Sequence, residues 1–121
     1  MVDAFLAASR DGRFDDLLAL LDPDVVLRGD AAAARLGGAA YAAVAGAGDQ
    51  MRGSELVGRF LFGRARGAVP AVIDGAAGAL AIAGDQVRVA LTFAIRDGRI
   101  VGIEVIADPE QLRALDVRIP G

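Results

Sequence analysis

The sequence contains neither cysteine nor histidine among its 121 residues. Without cysteine there is no disulfide framework, thiolate nucleophile or cysteine-bound metal, and without histidine the usual ligand of transition metals is missing. A bound metal would have to be a hard cation held by carboxylates, and the acidic residues form no evident cluster along the sequence. We therefore expect neither a metal site nor a cofactor.

Lysine is also absent, so all 13 basic residues are arginines, and the formal net charge is -3. Proteins that grip nucleic acid normally present a basic patch, so we expect no direct binding of nucleic acid by this domain. Arginine favours planar, bidentate pairing with carboxylates, which suits contacts with other proteins.

Long apolar segments are missing too, although 55% of the residues are hydrophobic and the mean hydropathy is +0.45. Arg, Asp or Gly interrupts the longest apolar runs before they reach the length that spans a bilayer. Residues 2 to 21 have the pattern of acidic amphipathic helices and lack the basic and apolar regions of a signal peptide. We expect a cytoplasmic chain without membrane contact, in which residues 1–121 form one domain.

The strongest local pattern lies in residues 86 to 112, QVRVALTFAIRDGRIVGIEVIADPEQL. Apolar and polar residues alternate from residue 86 to residue 96, which predicts a strand with one buried face. Asp97-Gly98 predicts a two-residue turn with positive φ at both positions, followed by a strand over residues 99 to 107. Asp108 then predicts the N-cap of a short helix, with Pro109 at its first position.

The remaining segments predict helices first and strands afterwards. Helical spacing predicts helices over residues 2 to 10 and 14 to 21, and a third from residue 53 to about 63. The buried side of the third helix is predicted to carry Leu56, Val57, Phe60 and Leu61. Strands are predicted over residues 24 to 28, 69 to 73 and 77 to 83, whereas residues 29 to 50 show no clear period. This order indicates an α+β fold with the helices on one face of an antiparallel sheet.

Counting outward from the predicted turns assigns residues to the two faces of the sheet. The predicted pairs are Arg96 with Arg99, Ile95 with Ile100, Phe93 with Gly102, Leu91 with Glu104, Val89 with Ile106, Ile82 with Val87 and Leu80 with Val89. All of these residues except Arg96 and Arg99 are predicted to face the core, where a carboxylate such as Glu104 is unusual. Glu104 could line a pocket as a general base, or pair with an arginine near the rim of the sheet. In a third interpretation, the predicted register is wrong by one residue.

The opposite face carries small and β-branched residues and is unusually apolar for a surface in contact with water. We expect it to dock on a second copy of the chain or on another protein; the alternative is that a loop or the C-terminal tail covers it. The residues predicted for this face are Ala77, Ala79, Ala81, Ala90, Thr92, Ala94, Val101, Ile103 and Val105, with Arg88, Arg96 and Arg99 towards its rim.

Three segments, FLAASRDGRFDDLLALLDPDVVLRGD, MRGSELVGRFL and RDGRIVGIEVIADPEQL, resemble the C-terminal SnoaL-like domain of extracytoplasmic function sigma factors. The closing Asn-Pro-Asp-Lys-Leu motif of that family corresponds to residues 108 to 112, with the lysine lost. Its Asp-Gly-Gly-Gly-Lys segment corresponds to residues 30 to 35, where Asp30 is kept and the basic residue is displaced by one. The resemblance implies an NTF2-like cone, in which a curved, largely antiparallel sheet wraps around about three helices from the N-terminal half.

The resemblance also implies a function. It is that of a non-catalytic regulatory domain, which modulates transcription initiation by contacting the sigma regions or their linker, and hence RNA polymerase. The chain would then be the C-terminal part of a longer sigma factor or a stand-alone relative. A homodimer through the sheet face is a further expectation. The expected contact residues are Asp108, Pro109, Glu110 and Leu112 of the closing helix, with Ala90, Thr92, Ala94, Ile103 and Val105 of the sheet face.

The NTF2-like fold also hosts isomerases and cyclases, so a small-molecule-binding protein or enzyme is the alternative. Its candidate catalytic residues are Asp30, Tyr41 and Glu104, as a base or hydrogen-bond donors in an apolar cone. The predicted pocket for an unidentified apolar small molecule is lined by Phe5, Leu18, Phe60, Leu91, Phe93 and Glu104.

Overall fold

A computed structural model describes residues 2–30, 32–33, 50–61 and 68–119 of the chain. The elements within these ranges are α1 (Val2–Arg10), α2 (Phe14–Leu20), β1 (Leu21–Gly29), β2 (Gln50–Arg52), α3 (Ser54–Leu61), β3 (Val69–Ile73), β4 (Ala76–Ala83), β5 (Gln86–Arg96), β6 (Arg99–Ile106), α4 (Pro109–Ala114) and β7 (Val117–Arg118). No helix in the described part of the chain has the length and apolar character needed to cross a membrane.

The strands form one sheet with the order β2-β1-β6-β5-β4-β3-β7. Neighbouring strands are antiparallel except for β1 and β6, which run parallel. The turn between β5 and β6 has φ of 55° at Asp97 and 77° at Gly98, as a primed two-residue turn requires. The predicted α+β class with a largely antiparallel sheet is therefore confirmed.

The first strand is longer than predicted. Leu21 was expected to close the second helix, but its φ of -92° and ψ of 136° are extended, and it pairs with Ile100 of β6. Regular pairing resumes only at Val26, which leaves Pro23 in an irregular stretch where its missing N–H costs no hydrogen bond of the ladder. Pairing with β6 thus decided where α2 ends.

Helices α1, α2 and α3 pack on one face of the sheet, here called the helix face. Phe5 of α1 is fully buried there, and its ring meets that of Phe93 edge-to-face with the centroids 5.3 Å apart. Gly12 ends α1 with φ of 70°, and the Arg13 amide donates to the Ala8 carbonyl at 3.0 Å. Because burial of a large apolar side chain contributes roughly 1.5 to 3 kcal/mol, the helix face holds the main core.

The buried side of α3 differs from the prediction. Val57, Gly58 and Leu61 are buried, whereas Leu56 is 43% exposed. Gly58 faces α2, since a Cβ atom built there would lie 3.0 Å from Cδ2 of Leu18. The amphipathic pattern favoured leucine for the core, but the close approach of two helices requires the smaller residue. The predicted helix end near residue 63 lies outside the described residues.

The other face of the sheet, here called the outer face, carries a smaller apolar cluster. Leu80 and Ala90 are fully buried in it, and Leu112, Leu115 and Val117 of the C-terminal segment pack against it. The C-terminal tail thus covers the part of the outer face around Ala90, which was the alternative to docking of a partner.

Hydrogen bonds fix the end of this C-terminal segment to the sheet. Strand β7 pairs with β3, placing Val117 opposite Ile73. The Asp74 amide donates to the Asp116 carbonyl at 2.8 Å, and the Asp116 amide donates to Oδ1 of Asp74 at 2.9 Å. The cover over the outer face is therefore anchored at the β3 edge.

Candidate functional site

A β-bulge in β6 changes the predicted faces of the central hairpin. Pairing begins as predicted, with Arg96 opposite Arg99 and Ile95 opposite Ile100, but the next pair is Ala94 with Gly102. Val101 is the extra residue, and every later pair is one residue out. Phe93 pairs with Ile103, Thr92 with Glu104, Leu91 with Val105 and Ala90 with Ile106. A single extra residue has this effect because side chains alternate with a period of two.

The new register exchanges the faces of three predicted site residues. Ile103 is 1% exposed in the helix-face core, and Val105 packs against that core, so their assignment to a docking face is wrong. Glu104 lies on the outer face beside Thr92 and is exposed, so its assignment to the core is wrong as well. Thr92 and Ala94 stay on the outer face, as predicted.

Two conservative substitutions test the corrected register. Ile103→Val should lower the free energy of unfolding by about 0.5 to 1.5 kcal/mol, because it removes a methylene group from the core. Glu104→Gln should change it by less than about 0.5 kcal/mol, because the side chain is exposed. Urea denaturation followed by circular dichroism compares the two variants. A larger loss for Glu104→Gln than for Ile103→Val would contradict the register.

The apolar residues predicted to line a pocket lie on the helix face. Phe5 and Leu91 are buried in the main core, and Phe60 and Phe93 pack against it. Leu18, as described above, lies against α3 at Gly58. The structure therefore separates these apolar side chains from Glu104, the carboxylate that was predicted to accompany them.

Asp30 follows β1 and connects two distant parts of the chain. Its amide donates to the Val105 carbonyl at 3.2 Å, beside the pairing of β1 with β6. Its Oδ1 accepts from the Ala33 amide at 2.7 Å. Its Oδ2 accepts from the amides of Ala107 and Asp108, both at 3.0 Å. These three carboxylate bonds, here called the Asp30 bridge, tie the segment after β1 to the junction of β6 and α4.

The start of α4 has the predicted cap. Asp108 is extended, with φ of -64° and ψ of 122°, and Pro109 follows at the beginning of the helix. Oδ1 of Asp108 accepts from the Glu110 amide at 3.4 Å, and the Leu112 amide donates to the Asp108 carbonyl at 2.9 Å. Asp30 and Asp108, the first residues of the two segments that resemble family motifs, are thus joined directly by a hydrogen bond.

The candidate catalytic residues do not form one site in the described part of the chain. Both carboxylate oxygens of Asp30 accept backbone N–H bonds, which is the role of a structural cap. Glu104 lies on the outer face, and Tyr41 lies outside the described residues. Within residues 2–30, 32–33, 50–61 and 68–119, no group of three acidic side chains is placed to hold a metal ion.

A groove of about 930 Å³, here called the α4 groove, lies between β5 and α4. Its apolar lining comes from Ala32, Val87, Ala107, Pro109 and Leu112. Gln86, Arg88 and Arg113 contribute polar lining. Pro109 and Leu112 were predicted as contact residues. Arg88 was predicted at the rim of the docking face, whereas Arg113 was not predicted, although its helical spacing from Pro109 could have indicated it.

A smaller depression of about 370 Å³ lies on the uncovered part of the outer face. Arg28, Thr92, Ala94 and Glu104 contribute to its lining, and Nε of Arg28 donates to Oε1 of Gln50 at 3.0 Å. This is what remains of the predicted docking face after α4 and β7 have covered the region around Ala90.

The chain resembles known protein structures, but searches by sequence find no match. No protein-family model matches the chain, and no curated protein matches it. The chain is similar to the extracytoplasmic function sigma factor SigJ of Mycobacterium tuberculosis, with 26% identity and a TM-score of 0.66. That match covers 93% of this chain and 43% of the SigJ chain, so the chain spans less than half of that sigma factor.

More distant structures share the fold alone. TerC, co-crystallised with polyporic acid, is 16% identical with a TM-score of 0.55, over 93% of this chain and 92% of TerC. A candidate polyketide cyclase from Sinorhizobium meliloti is 18% identical with a TM-score of 0.53, over 86% of this chain and 91% of the cyclase. The chain therefore has the SnoaL-like, NTF2-like fold and is similar, over 93% of its length, to part of an extracytoplasmic function sigma factor.

Proposed function

We propose that this chain is a non-catalytic regulatory domain of an extracytoplasmic function sigma factor. In this role it modulates transcription initiation in the cytoplasm through protein contacts with the sigma regions or their linker, and hence with RNA polymerase. The match to SigJ supports the proposal, because the chain is 26% identical to SigJ and aligns with only 43% of its length. More than half of such a sigma factor is then available to contact a domain of this kind.

The Asp30 bridge is the observation that carries the proposal. The two segments that resemble motifs of the sigma-factor family are far apart in sequence, yet the Asp108 amide donates to the Asp30 carboxylate. The bridge holds α4 in place while the side chains of Glu110 and Arg113 remain exposed. A helix fixed by its first residues and open on its outer side is suited to contact another part of a larger protein.

The charge of the chain favours a protein partner over nucleic acid. The formal net charge of -3 disfavours contact with phosphates, whereas arginines beside apolar side chains are enriched in protein interfaces. The predicted homodimer would have to use the uncovered outer face around Thr92 and Ala94, because the region around Ala90 is covered by α4 and β7. It stays a prediction.

An isomerase-like or ligand-binding function has less support in this geometry. The Asp30 carboxylate is bonded to three backbone amides of its own chain, and Glu104 is on the opposite side of the sheet from the Phe5 core. This alternative predicts that Asp30→Asn or Glu104→Gln abolishes turnover or ligand binding.

A transcription assay tests the proposed function. Core RNA polymerase is reconstituted with the sigma factor that contains this chain, and promoter-dependent transcripts and polymerase affinity are measured. Glu110→Arg, on exposed α4, should change one of them by at least about fivefold, the lower end of typical coupling between sites. Removal of residues 108 to 121 should have at least the same effect.

Asp15→Arg is the matched control for Glu110→Arg. Both residues are exposed acids in the first turn of a short helix, and both substitutions change the charge equally. Asp15 lies on α2, away from the proposed contact. Unchanged transcription and polymerase affinity in both the Glu110 variant and the truncated factor would overturn the proposed function.

A further inference from the structure

The α4 groove has an unusual wall on β5. Gln86, Val87 and Arg88 are consecutive residues of one strand, yet all three line the groove. Consecutive strand residues normally point to opposite faces, but Arg88 is the extra residue of a β-bulge: Val87 pairs with Ile82, and Val89 pairs with Ala81. Bulges redirect side chains in this way and often occur beside functional sites.

The opposite wall is formed by α4. Pro109, Leu112 and Arg113 line the groove from this helix, and the Asp30 bridge fixes the start of the helix. The groove therefore has apolar side chains on both walls and one arginine from each wall. Its volume of about 930 Å³ is within the range that holds several side chains of a ligand.

The two arginines have no internal partner in the described part of the chain. The ion pairs among described residues involve other arginines, namely Arg13, Arg59 and Arg118. The acids of α4, Asp108 and Glu110, form no ion pair with either arginine, and Asp108 caps the helix. In a chain with net charge -3, two free guanidinium groups at the rim of an apolar groove provide a local positive site.

We propose that the α4 groove binds a peptide segment that carries both acidic and apolar side chains. The apolar side chains displace water between Val87 and Leu112, while carboxylates pair with Arg88 and Arg113 in the bidentate geometry that guanidinium favours. A segment of a sigma factor is the biological source if the proposed function is correct, and the role of the groove rests on that function. The binding chemistry rests on the groove alone.

Fluorescence anisotropy with a short fluorescein-labelled peptide of glutamate, leucine and serine tests the groove on the 121-residue chain. The Arg88→Glu, Arg113→Glu double variant should bind it at least about tenfold more weakly than the unchanged chain. Added salt should weaken binding as well, because exposed charge pairs are screened. Control peptides with glutamine in place of glutamate, or with serine in place of leucine, should also bind more weakly.

The Arg96→Glu, Arg99→Glu double variant is the matched control. It makes the same change in charge at the turn between β5 and β6, outside the groove, and should bind the peptide as the unchanged chain does. Thermal unfolding confirms that both double variants are folded. Equal loss of binding in the two variants, or equal binding of the glutamine peptide, would overturn the proposal.

Other occupants would give different results. Preference for a short single-stranded oligonucleotide over the acidic peptide would assign the groove to nucleic acid and overturn the proposal. Self-association that is lost only in the groove variant, without peptide binding, would assign it to a second copy of the chain and overturn it too. Failure of peptide binding with an intact effect of Glu110→Arg on transcription rejects the groove inference alone. Peptide binding with no effect of either Glu110→Arg or the truncation on transcription and polymerase affinity rejects the proposed function alone.

Discussion

Replacement of Asp30 by asparagine should lower the free energy of unfolding by roughly 3 kcal/mol, because hydrogen bonds to a charged group are worth about 1.5 to 3 kcal/mol each. The carboxylate accepts from the amides of Ala33, Ala107 and Asp108. Asparagine has almost the same shape but only one acceptor oxygen. Its NH₂ group must therefore face at least one backbone N–H, which places two donors against each other in a partly buried site.

Urea denaturation measures this loss, and hydrogen exchange locates it. The amides of Ala107 and Asp108 should exchange faster in Asp30→Asn, since the bonds that protect them are lost, while those of α1 change only with global stability. Asp85→Asn is the matched control: Asp85 is an exposed turn residue, and its replacement should stay within about 0.5 kcal/mol. Equal stability of the two variants would show that the bridge contributes nothing.

Gly78→Ala should lower the free energy of unfolding by about 3 kcal/mol, the upper end of the usual cost of overpacking. Gly78 lies in β4 opposite Thr92. A Cβ atom there would lie 2.7 Å from the Leu91 carbonyl oxygen and 2.7 Å from Cδ1 of Ile73. The Ile73 side chain can rotate away, but the Leu91 oxygen belongs to the backbone of β5. The methyl group therefore forces the central strands apart.

Gly102→Ala is the control for this substitution, because it adds the same methyl group to another strand of the sheet. A Cβ atom at Gly102 would meet only the Ala94 Cβ at 3.5 Å and the Val26 oxygen at 3.9 Å, which are ordinary contacts. The free energy of unfolding of Gly102→Ala should match or exceed that of the unchanged chain, since glycine in the interior of a strand weakens it. Thermal and urea unfolding measure the stability of both variants. Equal free energies of unfolding would contradict the proposed clash at Gly78.

Features with a local cause were predicted well from the sequence. The turn at Asp97-Gly98 needs two residues that tolerate positive φ, and both have it. The cap at Asp108 needs a short acceptor side chain before a proline, and it forms as predicted. Alternation over residues 86 to 96 similarly predicted β5 with the bounds it has.

Features that depend on distant packing were predicted less well. The bulge at Val101 is set by the pairing of β6 with its neighbours. Its one sign in the sequence is Gly102, because a glycine inside a strand often accompanies a bulge. The bulge moved Glu104 to the outer face and Ile103 into the core. The exposure of Leu56 likewise follows from the approach of α2 to Gly58, a contact that spacing along α3 does not reveal.

The sequence by itself determined the α+β class, the hairpins, the caps and the resemblance to a sigma-factor domain, because turn geometry, capping and alternation act over a few neighbouring residues. Only the tertiary structure decided which residues share a face, what covers Ala90 and what Asp30 does. The Asp30 bridge joins positions 77 and 78 residues apart. Such a contact exists only after the sheet has brought the end of β1 beside the end of β6, and the α4 groove is a consequence of the same arrangement.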